Sequence, residues 1–229
     1  PVHSLVSKVM NGLGSPTLII PAEASPHEYQ LRPSEAKALQ EAKLVFWIGE
    51  DLTPWLEKGL STLAKGASVT TLLEVDGIEL LAFREGALFE EHDHDDHDDH
   101  DKKKKKDNHD DHDHDDHDDH DKKKKKDDHD DHDDHDGHDD HEGHAHGEHD
   151  PHAWLSPGIA KVWLNIIAAK LSEVDSDNAG TYFSNANSAK QELDALTEEI
   201  IKILDPIRGK KFIVFHDAYQ YFEKHFNIS

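Results

Sequence analysis

An exact internal duplication limits this chain more than anything else in it: HDHDDHDDHDKKKKKD runs from His92 to Asp107 and returns from His112 to Asp127. The duplication lies in a tract from Glu90 to Asp150 that has almost no apolar side chains and holds 29 acidic residues, 10 lysines and 17 of the chain's 22 histidines. A segment with so little apolar surface to bury cannot offset the conformational entropy lost on ordering its backbone. It is expected to be disordered without metal, so any globular fold must be assembled from residues 1–89 and 151–229.

Counting histidine as neutral, the tract carries a charge of −19, which leaves −6 of the chain's −25 for everything else. A polyanion of this size repels phosphate backbones, and nucleic acid is excluded as a partner. Lys102–Lys106 and Lys122–Lys126 resemble basic patches only when read alone. Aspartates flank both runs, which read as solvated spacers that offset carboxylate repulsion. The chain has no cysteine, so neither a disulfide nor a thiolate zinc site is available within it. No apolar run approaches the ~18 residues that a membrane-spanning helix needs. The sequence opens at Pro1 with a segment that already reads as helix, and a signal peptide and a first strand are expected upstream. Another element is expected to begin after Phe226–Ser229.

Outside the tract, helix and strand patterns alternate. Val2, Leu5, Val6, Val9 and Leu13 have helical spacing, closed by Gly12 and Gly14 before a strand-like run at Thr17–Ile20. Pro33 suits a first helical turn that Glu35–Ala42 continues, and Leu44–Ile48 is a short apolar run of the kind found in buried parallel strands. Thr53–Leu63 reads as helix and Ser68–Leu72 as strand. This alternation predicts an α/β layer with right-handed crossovers. After the tract, Ser156 and Pro157 mark a helix start, followed by the apolar stripe Ile159, Val162, Trp163, Ile166, Ile167 and Leu171. A polar break at Asp175–Asn178 leads into a long amphipathic helix carrying Tyr182, Ala186, Ala189, Leu193, Leu196, Ile200 and Ile203. Its length suits a bridge between two lobes, and its spacing suits a packing helix of one domain equally well. Pro206 and Gly209 end it. A strand at Lys211–Phe215 and a helix from Asp217 to His225 are expected next.

Five histidines lie outside the region of dense repeats: His3, His27, His152, His216 and His225. His27 is predicted in a strand-to-helix loop, His152 just before a capped helix and His216 directly after the strand KFIVF. In open α/β sheets ligands bind at the carboxyl ends of strands, which is where His27 and His216 are expected. Three neutral imidazoles on separate loops fit a zinc site with one position left for water or a carboxylate. Magnesium and calcium prefer oxygen ligands, while spacing alone leaves copper and nickel open beside zinc. His3, in PVHSLV, reads as structural.

The segments SPHEYQLRPSEA around His27, HDPHAWLSP around His152 and KKFIVFHDAYQYF around His216 resemble the three histidine motifs of the ZnuA-like, cluster A-I metal-binding proteins of ABC importers. The likeness covers nearly the whole chain outside the insert, in the same order and with the long helix between the second and third motifs. It implies an α/β, two-lobed solute-binding protein whose lobes are joined by a long rigid helix, with the metal in the cleft between them. The implied division is a first lobe in residues 1–89 and 151–176, the insert in 90–150, a bridging helix in 177–205 and the start of a second lobe, otherwise missing, in 206–229. Some relatives place an acidic residue directly before the first histidine. Here Pro26 stands there with Glu28 after it, and the fourth ligand is left open.

The resemblance implies capture of Zn2+ by His27, His152 and His216 outside the cytoplasmic membrane, in the periplasm, and delivery by a monomer to the membrane permease of an ABC transporter. The insert adds many weak sites in a field that concentrates cations: His92, His94, His97, His100, His109, His112, His114, His117, His120, His129, His132, His135, His138, His141, His144, His146 and His149. These are expected to act as an accessory zinc scavenger or sensor. The alternative is an extracytoplasmic zinc buffer or metallochaperone in which the insert is the working part. A zinc hydrolase is disfavoured, since nothing resembles HExxH and no motif places a general base, although Glu28 and Asp217 adjoin ligands. A manganese-selective or adhesin-like relative is expected to carry a carboxylate in place of one histidine and to lack the insert.

Overall fold

The computed structural model describes residues 1–84 and 149–228, which belong to one compact unit. The low-complexity tract, apart from His149 and Asp150, lies outside the described residues, as do the expectations made for its histidines and its order.

Two parallel strands, β1 (Leu44–Trp47) and β2 (Ser68–Thr71), pair in register from Leu44 with Ser68 to Trp47 with Thr71. Helix α3 (Pro54–Leu63) makes the crossover between them. At the end of β1 the chain turns at Gly49, whose φ of +154° suits glycine, and the Gly49 carbonyl accepts from both the backbone N–H and the hydroxyl of Thr53. Helix α2 (Pro33–Glu41) begins at proline, as its sequence predicts, with Glu35 reaching back to the Arg32 N–H. Leu39 of α2 packs with Leu56, Leu60 and Ala64 of the α3 region in a small apolar cluster.

The main core lies on the other side. Helix α1 (Val2–Val9), helix α4 (Pro157–Val174) and helix α5 (Ala179–Leu204) pack together, and Trp163, Leu164, Ile167 and Ala168 of α4 are completely buried. Trp163 also donates its indole N–H to the Leu72 carbonyl at 2.9 Å, which ties α4 to the segment after β2. Ser156 caps α4 by accepting from the Ile159 N–H. The 26 residues of α5 extend ~39 Å at ~1.5 Å per residue. Tyr182, Ala186 and Ala189 are buried, whereas Leu196 and Ile203 further along the predicted stripe are exposed. Helix α6 (Gln220–Phe226) starts three residues later than the sequence suggests and buries Tyr221 and Phe226.

Two expected strands do not form. Thr17–Ile20 and Lys211–Phe215 have no ladder partner among the described residues, and Ile213 and Phe215 are 99% and 107% exposed. Apolar content makes a segment suitable for a strand, but a strand exists only where a neighbour completes its hydrogen bonds. No helix among the described residues is long and apolar enough to cross a membrane.

Candidate metal centre

Each of the three predicted histidines is held by its own local structure. His27 lies in the loop before α2, an exposed position whose flanks are fixed. The Pro26 carbonyl accepts from the Trp55 indole of α3 at 2.8 Å, and Tyr29 donates to Glu35 at 2.7 Å while its ring meets Trp55 edge-on. His152 is buried. It precedes a single 3-10 turn (Ala153–Leu155) and the capped start of α4, and its ring lies edge-on to Trp154. His216 is exposed, in a short turn closed by the Ala218 N–H on the His216 carbonyl.

The fold brings these three residues together from segments 125 and 64 positions apart. One ligand nitrogen from each lies within 4.8 Å of the others, and among the described residues no carboxylate joins the group. His152 Nε2 and His216 Nε2 are 3.3 Å apart. Two nitrogens bound to one tetrahedral zinc at ~2.05 Å would be separated by ~3.3 Å, so this pair already has the spacing of a tetrahedral edge.

Asp150 sets the chemistry of the central histidine. Its Oδ1 accepts from the His152 backbone N–H at 2.9 Å and sits 2.7 Å from His152 Nδ1. A carboxylate accepts only, so Nδ1 carries the proton and the lone pair is left on Nε2, which faces His216. Sequence reasoning missed this residue, although an acidic side chain two positions before a candidate ligand histidine is a readable signal. At His27, desolvation and the two neighbouring imidazoles lower the pKa, against a smaller opposing pull from Glu28. These surroundings thus favour the neutral form of the His27 imidazole. The Glu28 and Asp217 carboxylates both stand outside the group. Asp217 is engaged by Arg84, which also binds Glu223 of α6.

The other histidines lie elsewhere. His3 Nε2 is 3.2 Å from the Pro16 carbonyl. His225 lines a cavity of about 380 Å³ with Ser156, Tyr221 and Lys224. His149 forms an antiparallel backbone bridge with Ala82, beside the Asp150 N–H bond to the Leu81 carbonyl. Leu81 in turn donates its N–H to the Tyr221 hydroxyl, whose pKa burial pushes up to about 12.

Comparison with known proteins gives concordant results. The family described as "ZnuA: Zinc-uptake complex component A periplasmic" matches residues 1–229. A protein of Brucella abortus (strain 2308) named "High-affinity zinc uptake system protein ZnuA" is 47% identical over 228 residues, covering 100% of this chain and 63% of its own length. A protein of the same name from Paracoccus denitrificans is 47% identical over 227 residues, covering 99% of this chain and 62% of its own length. Among solved structures, a ZnuA deletion mutant with zinc bound superposes with a TM-score of 0.66 at 22% identity, covering 100% of this chain and 65% of that one. The chain therefore spans under two thirds of the length of the relatives it matches.

Proposed function

The chain belongs to the periplasmic zinc-uptake component A family, and on that premise we propose that it captures Zn2+ outside the cytoplasmic membrane through His27, His152 and His216 and delivers it to the permease of an ABC-type importer. One observation carries the reading: three imidazoles from widely separated segments converge within 4.8 Å, with the pair His152 and His216 at tetrahedral spacing. Imidazole nitrogens suit zinc. The ion is cargo here, and the residues act by binding it: Asp150 presents the His152 lone pair, while His27 and His216 close on the ion from exposed loops. In the two-lobed arrangement of this reading, α5 is the rigid connection and residues 206–229 begin the second lobe. The role is binding and transport, not catalysis.

The insert histidines serve in this reading as an accessory scavenger. Growth of cells under zinc limitation separates capture from buffering. Cells carrying His216→Ala in the full-length protein are expected to starve, and cells lacking residues 91–148 to grow. Normal growth of the point mutant with starvation of the deletion mutant overturns capture and installs the zinc-buffer alternative.

A further inference from the structure

Two acidic residues lie close in sequence to the proposed ligands, and the fold treats them in opposite ways. Asp150 bonds an imidazole nitrogen of His152. Asp217, directly after His216, is turned to a guanidinium: Arg84 Nη2 binds Asp217 Oδ1, and Nε lies 3.4 Å from Oδ2. The same Arg84 binds Glu223, with Nη1 2.5 Å from Oε2 and Nη2 3.5 Å from Oε1. Each carboxylate therefore receives two N–H groups, the fork geometry that makes arginine pairs directional as well as strong. The cluster is partly shielded, with Arg84 18%, Glu223 13% and Asp217 30% exposed. Arg84 also follows Leu81 and Ala82, which hold Asp150 and His149 through backbone bonds. One short stretch of chain thus anchors the surroundings of both His152 and His216.

We propose that Arg84 is a specificity-determining residue of the histidine site: by clamping Asp217 to Glu223 of α6 it fixes the His216 turn and withholds the adjoining carboxylate from the ion, keeping the ligand set all-imidazole and favouring zinc over manganese. The chemistry is ligand preference. Imidazole suits zinc, whereas carboxylate and water oxygens suit manganese. An unclamped Asp217 stands one residue from a ligand and carries the charge and oxygen atoms that manganese takes up. The assignment rests on the zinc-capture reading.

The test uses the full-length protein and compares wild type, Arg84→Gln, Asp217→Asn, the Arg84→Gln/Asp217→Asn pair and His216→Ala. Zn2+ and Mn2+ affinities are measured by chelator competition, and coordination is followed by the visible absorption of the Co2+-loaded forms. Arg84→Gln is expected to weaken zinc by ~10- to 100-fold, the usual effect of losing a residue that supports a ligand. It should not weaken manganese in proportion, and the Co2+ bands should fade as the freed Asp217 carboxylate raises the coordination number above four. Adding Asp217→Asn should restore the zinc-to-manganese ratio and the Co2+ spectrum. A purely structural arginine would lower both metals equally, leave the Co2+ spectrum unchanged and gain nothing from the second substitution. Any one of these three results overturns the assignment. Should Arg84→Gln fail to fold, Arg84→Lys decides in its place. Lysine keeps the charge but cannot hold two carboxylates in forked pairs, so an intermediate loss of selectivity is expected, and unchanged selectivity refutes the proposal. Wild-type protein that binds zinc no better than His216→Ala refutes the capture reading itself, whereas wild-type capture with unaltered Arg84→Gln selectivity refutes Arg84 alone.

Discussion

Replacing Asp150 tests the proposed metal centre without touching a proposed ligand. Its Oδ1 serves two donors at once, the backbone N–H of His152 and the ring Nδ1, and the residue is only 2% exposed. Asp150→Asn keeps an acceptor and the volume but loses the charge that favours an Nδ1–H. The expected loss of zinc affinity is at the lower end for such supporting residues, about tenfold or ~1.4 kcal/mol. Asp150→Ala removes the acceptor altogether, so that the His152 ring is free to turn and to change tautomer. Its expected loss is about 100-fold, or ~2.8 kcal/mol. The alanine variant also leaves a buried backbone N–H unsatisfied, which should cost the metal-free protein about 1–3 kcal/mol of stability. Chelator competition reads the first effect and thermal unfolding without metal reads the second. If both variants hold zinc as tightly as wild type, the carboxylate does not orient His152, and the derivation of the Nε2 lone pair is wrong.

Further expectations concern acid, the insert and the core. His27 has its pKa lowered from 6.5 by desolvation and by the two nearby imidazoles, so between that lowered value and 6.5 the unfolded chain binds more protons than the folded one. Stability of the metal-free protein should be fully present above pH 6.5 and fall as pH drops through the lowered value, an effect that unfolding measured across pH will show and that His27→Ala should diminish. Zinc held by the insert histidines should be released at higher pH than zinc at the three-histidine site, because protons compete for each nitrogen and three convergent ligands resist that competition further, and a single release step for all bound zinc would count against two kinds of site. Deleting residues 91–148 should leave one tight zinc per molecule by equilibrium dialysis, and loss of all tight binding would move the primary site into the insert. Trp163→Ala should destabilise the fold by about 3–5 kcal/mol, since it empties a fully buried site and removes the donor to the Leu72 carbonyl, and a calorimetric loss below about 1 kcal/mol would show that α4 is not central to the core.

How much of this was legible in the sequence depended on how local the cause was. The start of α4 could be read from Ser156 and Pro157 because capping is settled within three residues. The strands read at Leu44–Ile48 and Ser68–Leu72 form, over Leu44–Trp47 and Ser68–Thr71, because each is the other's partner across a single helix. Thr17–Ile20 and Lys211–Phe215 are at least as apolar as Ser68–Thr71 but have no ladder partner among the described residues, and pairing is not written in the segment itself. The three histidines were recognisable from their motifs. Asp150, inside one of those motifs, was recoverable from its nearness to His152. Arg84 was not, because it meets Asp217 across 133 positions and only the folded chain brings the two together.

The backbone bridge between Ala82 and His149 has an evolutionary consequence. It brings Ala82 and His149 side by side, so the fold itself holds together two positions that flank residues 85–148 in the sequence. Closing a flexible chain on fixed ends costs about 0.6 kcal/mol per doubling of its length, and one more copy of the repeat that begins at His92 and again at His112 would add only about 0.2 kcal/mol. Replication slippage in a tandem repeat can therefore lengthen or shorten the tract while folding scarcely registers the change. The number of repeats is then left almost free by the requirements of the fold.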